Sequence, residues 1–119
     1  MGVLKVPSRR LARQVFREVS FEDRFEGYIL RERAGARLVP MYRLEELVAF
    51  LNDRHPRLDF EDLEAWVRNI MDDTELADHI RGALSEAESD QSRCEAVRGL
   101  LEERLGQCRE ASGRNDGEA

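Results

Sequence analysis

A chain of 119 residues, 41% apolar and 37% charged, has the size of one domain and can bury one modest core. Its formal net charge of -6 has the wrong sign for a generic nucleic-acid binder, because phosphate contacts need clustered positive charge. Nothing approaches the roughly 18 uncharged apolar residues of a membrane span, residues 1–10 lack the apolar core of a secretory signal, and two cysteines are too few for a disulfide framework or a four-cysteine metal site; a cytoplasmic chain with no membrane partner is expected.

Charge is unevenly spread. Residues 1–19 carry five basic and one acidic side chain, residues 20–58 seven of each, and residues 59–119 seven basic against seventeen acidic. The positive end falls on the first predicted helix. Ser8 is placed to cap it after Pro7, and Arg9 to Val19 follows, with Leu11, Ala12, Val15 and Val19 on one arc. Arg9, Arg10, Arg13 and Arg17 fill the opposite arc. The next stretch, Ser20 to Gly27, ends in a breaker and reads as a helical turn or a loop.

From Tyr28 the period changes. Tyr28 to Arg33 and Arg37 to Tyr42 flank Ala34-Gly35-Ala36, and two short strands around a glycine turn fit best, with a continuous helix as the alternative. Pro40 has no amide hydrogen, so the second strand lies at an edge or ends there. An isolated hairpin is marginal, so this one must pack on helices or pair with another chain.

Arg43 to Asn52 returns to helical spacing, with Leu44, Leu47, Val48 and Leu51 on one face. Asp53 to Arg57 reads as a loop, because Pro56 pushes His55 into an extended conformation. Asp59 then caps a helix, with Asp62 at its third position and Leu58 placed against Leu63. Phe60, Leu63, Trp66, Val67, Ile70 and Met71 form the widest apolar face, which predicts Trp66 at the centre of the core. Asp72-Asp73-Thr74-Glu75 repeats the capping pattern: Asp72 is expected as the cap, Glu75 reaches back to it, and Met71 meets Leu76. That helix should run to about Leu84 and a last one from about Asp90 to Arg109, while the polar residues 110–119 are expected to be disordered.

Asp62-Leu63-x-x-Trp66-Val67-x-x-Ile70-Met71-x-Asp73-x-x-Leu76-Ala77-x-x-Ile80 resembles a D-F-x-x-W-[IV]-x-x-[VI]-L-x-D-x-x-L pattern found in uncharacterised bacterial helical proteins, with Leu63 in place of the usual phenylalanine. The resemblance spans nineteen residues and implies a helical fold without an assigned activity.

The sequence contains no G-x-x-x-x-G-K-[ST], G-x-G-x-x-G, G-x-S-x-G or H-E-x-x-H motif, so the common nucleotide-binding and hydrolytic chemistries lack their usual residues. A di-iron bundle needs Glu-x-x-His pairs, and neither His55 nor His79 follows a glutamate by three. Glu75 and His79 stand at i and i+4 near Asp72 and Asp78, but the capping pattern already employs Asp72 and Glu75, so neither metal nor cofactor is expected.

Cys94 and Cys108 lie about 21 Å apart along one helix at ~1.5 Å per residue, too far to bridge within it. They read as small buried hydrophobes. The alternative is a subunit seam of Cys94, Val97, Leu101 and Cys108, in which Cys94, Leu101 and Cys108 take heptad a positions and Val97 a d position, with Arg104 at the next d. Arg9 and Arg10 in a first helical turn oppose the helix dipole, so the arc Arg9, Arg10, Arg13, Arg17 calls for a compensating partner: the acidic 59–119 segment, another protein or a nucleic acid.

These features predict one mostly α domain over residues 1–109, four or five short helices with a short β-hairpin. It is expected to act without catalysis as a protein-interaction or assembly module, through an unidentified partner or self-association. The alternative is a nucleic-acid-binding accessory protein using the arginine helix, and a small enzyme built on His55 or His79 comes third.

Overall fold

A computed structural model describes residues 3–31, 33, 35–53 and 56–118, together with the side chains of all these except 31 and 112–118. Among the described residues the elements are α1 (Arg9–Phe16), a 3-10 turn (Phe21–Asp23), β1 (Phe25–Arg31), β2 (Gly35–Met41), α2 (Leu44–Leu51), β3 (Pro56–Arg57), α3 (Phe60–Asn69), α4 (Thr74–Glu86) and α5 (Asp90–Glu118). The fold is therefore mostly α with a hairpin, as the patterning predicts. No helix of the described residues is long and apolar enough to cross a membrane.

Ser8 caps α1 through a 3.1 Å hydrogen bond from the Leu11 amide to its hydroxyl oxygen. The helix stops at Phe16, three residues before the expected end, because Arg17 turns extended and the Val19 amide donates to the Tyr42 carbonyl at 2.8 Å. Val19 is still buried with Ala12 and Val15.

The sheet has the order β2-β1-β3. Its hairpin runs in antiparallel register from Phe25 opposite Met41 to Arg31 opposite Gly35, and β2, which carries Pro40, is an edge strand. Two expectations fail here. Gly27 does not break the chain but sits inside β1, where the Phe50 ring of α2 comes so close that a Cβ would lie 2.4 Å from its Cζ atom. Pro56 and Arg57, expected in a loop, form β3 and pair with Ile29 and Tyr28, since the extended backbone that proline imposes also suits a strand edge. His55 lies outside the described residues.

α3 begins as predicted, with Asp59 accepting from the Glu61 and Asp62 amides at 2.9 and 3.2 Å. The α3–α4 junction departs from expectation. Asp73, not Asp72, caps α4, taking the Leu76 amide at 3.2 Å. Asp72 instead adopts a left-handed conformation with φ of 59°, which lets the Asp73 amide reach back to the Val67 carbonyl and close the end of α3. The helix end needs a left-handed residue at this point, so Asp72 is used up as the terminator of α3 and the next carboxylate starts α4.

α5 is the spine of the core, and α1, α2 and α4 pack on it. Val97, Leu101, Leu105 and Cys108 face inward, and so does Ala111, beyond the expected domain boundary at Arg109. Residues 110–118, expected as a disordered tail, continue this helix. Trp66 lies at the margin of the core rather than its centre: it is buried against Phe25, with ring centroids 5.8 Å apart, but its ring also lines a surface groove.

Candidate functional site

The four arginines predicted on the first helix are all exposed, and one of them, Arg17, is held against the end of α3. Arg17 is tied inward, its guanidinium donating to the Gln14 carbonyl at 3.0 Å and to the Ile70 carbonyl at the end of α3, with the Met71 sulfur 3.9 Å away. Beside it, the Gln14 amide donates to Asp72 at 3.3 Å. Arg17 thus satisfies a helix C-terminus, where positive charge is favoured, while remaining exposed. Arg9, Arg10 and Arg13 are exposed as well.

The expected seam is also displaced. Val97, Leu101 and Cys108 are fully buried within this chain, and Cys94 is half-buried beside them. Three other helices cover the stripe, so the face that a second copy would need is already taken. Burial pushes the Cys108 thiol up to about 11.

Glu75 does not reach back to cap α4. Its two oxygens take the Lys5 amide and the Arg104 guanidinium, each at 2.8 Å, while His79 stands 4.0 Å away. Partial burial works against its ionisation, but the Lys5 amide and Arg104 outweigh that and hold its carboxyl below the usual range. Asp72 is exposed, and Asp78 is engaged by Arg68 at 2.7 Å. Among the described residues no group of three acidic, histidine or cysteine side chains is arranged to hold a metal ion.

The strongest polar cluster went unseen in the sequence. Arg104 is wholly withdrawn from solvent, and all five of its N–H groups are used: two on Asp73 at 2.9 and 3.2 Å, one on Glu75 at 2.8 Å, and two at 2.9 Å on the Lys5 carbonyl and the Gln107 side-chain oxygen. The only hint in the sequence was negative, an arginine at a position where a heptad wants an apolar residue.

A second unforeseen feature is the outer face of the hairpin. Strand alternation sends Phe25, Gly27 and Met41 inward, and the opposite face carries Tyr28, Leu30 and Leu38, which are 48%, 41% and 44% exposed. Tyr28 and Leu38 are directly opposed across the ladder, and Leu30 opposes Ala36. Tyr28 also borders a groove of about 1010 Å³ lined by Phe25, Arg57, Phe60, Trp66 and Ile70. The Trp66 indole N–H donates to the Asp23 carbonyl at 2.6 Å, which fixes its ring at the groove. Sheet face and groove therefore join at Tyr28, and the groove adds polar lining from Arg24, Glu26, Asp59, Asp62 and Asn69.

Comparison with known proteins finds no matching family model, no matching curated protein and no matching solved structure.

Proposed function

We propose that the chain is a cytoplasmic, non-catalytic protein-interaction module that docks a protein partner on the outer face of the hairpin and the adjoining Trp66 groove. The observation that carries this reading is the exposed apolar row of Tyr28, Leu30 and Leu38 on one sheet face. Such a contiguous surface is unfavourable in water until something covers it. Its surroundings support the same reading: Arg57 flanks Tyr28, and Arg24 pairs with Glu26 at 2.8 Å, giving an apolar centre with a polar rim. The nucleic-acid reading loses support because Arg17 is engaged within the fold and the net charge is -6.

The test is affinity capture from source cells by the wild-type chain and by Leu38→Glu, which changes the exposed face alone. Binding of the purified partner and light scattering of the chain by itself follow. A protein partner, or a second copy, should bind Leu38→Glu about tenfold or more weakly, the loss expected at a central apolar contact. Equal binding to both chains overturns the reading. So does capture of RNA or DNA that is abolished when Arg9, Arg10 and Arg13 become glutamine.

A further inference from the structure

Residues 3–7 belong to neither a helix nor a strand, so their backbone groups must find partners elsewhere. For Leu4 and Lys5 all four partners are side chains of α4 and α5. The Leu4 amide donates to Glu103 at 2.8 Å and the Lys5 amide to Glu75 at 2.8 Å. Gln107 donates to the Leu4 carbonyl and Arg104 to the Lys5 carbonyl, each at 2.9 Å. The Leu4 side chain and Pro7 are buried, whereas Val3, Lys5 and Val6 point outward.

Folded chains fasten their own loops by such bonds, and a protein that reads a peptide uses the same contacts. Side chains that grip both the N–H and the C=O of consecutive residues recognise backbone, whatever side chains the occupant carries. Specificity is left to the two buried positions, an apolar residue and a proline three places on. A permanent attachment needs none of this: apolar contacts of the same volume hold as well as a buried ion cluster, without the desolvation cost of Arg104. The segment itself buries only two side chains, so it sits at the low end of local stability.

We infer that the groove between the start of α4 and α5 is a peptide-binding site in which residues 3–7 act as an internal occupant, and that it accepts a short apolar-x-x-proline segment of another polypeptide in their place. Glu75 and Glu103 accept from the amides of the occupant, and their charge favours a basic segment, as Lys5 makes this one. The inference goes beyond the hairpin reading and uses none of its residues, so each can fail alone.

The test uses the full chain and a blocked, fluorescent peptide of the sequence Val-Leu-Lys-Val-Pro-Ser, which is that of residues 3–8. In the wild type the internal segment competes, and apparent affinity falls by the fraction of time the groove is open. Leu4→Asp unseats the segment and leaves the four reading side chains intact. That variant should bind the peptide at least tenfold more tightly than the wild type. Glu103→Ala in the same background should weaken binding about tenfold, the size of one hydrogen bond to a charged group, because that side chain bonds the amide at the Leu4 position. No saturable binding to a folded Leu4→Asp chain overturns the inference. Loss of its fold also overturns it, because residues 3–7 would then be part of the cooperative core. Hydrogen exchange on the wild type supplies an independent reading: Leu4 and Lys5 amides should exchange through local opening, and exchange only with global unfolding refutes the site.

Discussion

Asp73 and Arg104 meet in a two-pronged ion pair at 2.9 and 3.2 Å, and neither side chain is more than 1% exposed. The same carboxylate caps α4 through the Leu76 amide, so one side chain fixes both where that helix starts and how it is fastened to α5. Each buried charge costs several kcal/mol in lost hydration and recovers it only while the pair is intact. Arg104 and Asp73 therefore make the start of α4 and its seat on α5 conditional on one another.

Arg104→Ala should destabilise the chain by about 3–5 kcal/mol, the cost of leaving a buried partner unpaired. Arg104→Lys should recover only part of this, because an ammonium cannot supply the planar five-donor fork that Asp73, Glu75, Gln107 and the Lys5 carbonyl occupy. Urea unfolding of the three chains measures both values. An Arg104→Ala loss below about 1 kcal/mol would place the pair among weak surface contacts.

Gly27→Ala should cost about 1–3 kcal/mol, as overpacking does, since the new methyl would stand 2.4 Å from Cζ and 2.8 Å from Cε2 of Phe50. Shortening the ring to leucine should relieve the clash, so Gly27→Ala should be better tolerated in a Phe50→Leu chain than in the wild type. The double-mutant cycle reads the coupling directly, and a coupling near zero would mean that the ring does not meet the backbone there.

How far the sequence foretold these features depended on how local their causes are. The Ser8 and Asp59 caps, the helix of residues 44–51 and the hairpin around Gly35 rest on side chains within a few residues of the backbone they satisfy, and all were legible. The place of Gly27 inside a strand is not legible locally, because its neighbour, Phe50, comes from another element. The Arg104 cluster is not legible in the sequence, because its acceptors come from residues 5, 73, 75 and 107, a set that no periodicity brings together. The stripe from Cys94 to Cys108 had the right inward face, but sequence alone did not show that α1, α2 and α4 would cover it in place of a second copy. The exposed row on the hairpin is hidden in the sequence because its residues read equally well as core.

Asp72 and Asp73 made the closest choice, since either can cap a helix. The left-handed backbone at Asp72, φ 59°, decided it. Glycine adopts that conformation without a Cβ penalty, and a carboxylate at the end of α3 opposes the helix dipole. Asp72→Gly should therefore raise stability by up to about 1 kcal/mol in spite of losing the Gln14 contact at 3.3 Å. A thermal midpoint lower than that of the wild type would show that Asp72 contributes more through its side chain than its backbone conformation costs.

Glu75 gives the chain a defined response to acid. Burial raises its pKa, but the Lys5 amide, Arg104 and the nearby His79 bring it below the ordinary carboxylate value, and Arg68 and Arg81 outweigh burial at Glu64 in the same way. A carboxyl whose folded pKa lies below its unfolded one binds protons more readily when unfolded. Its stabilising contribution is complete above the unfolded pKa, roughly 4.3, and is lost as pH falls through the lower folded value. Urea midpoints should therefore hold steady from neutral pH to about 5 as far as these two groups govern them, and then decline. Glu75→Gln should be less stable than the wild type at neutral pH, with the gap narrowing in acid as the native carboxylate takes up its proton. A constant gap between the two chains from pH 7 down to about 3 would mean that Glu75 holds the Lys5 amide and Arg104 no better charged than neutral, and would remove it as the source of the acid response.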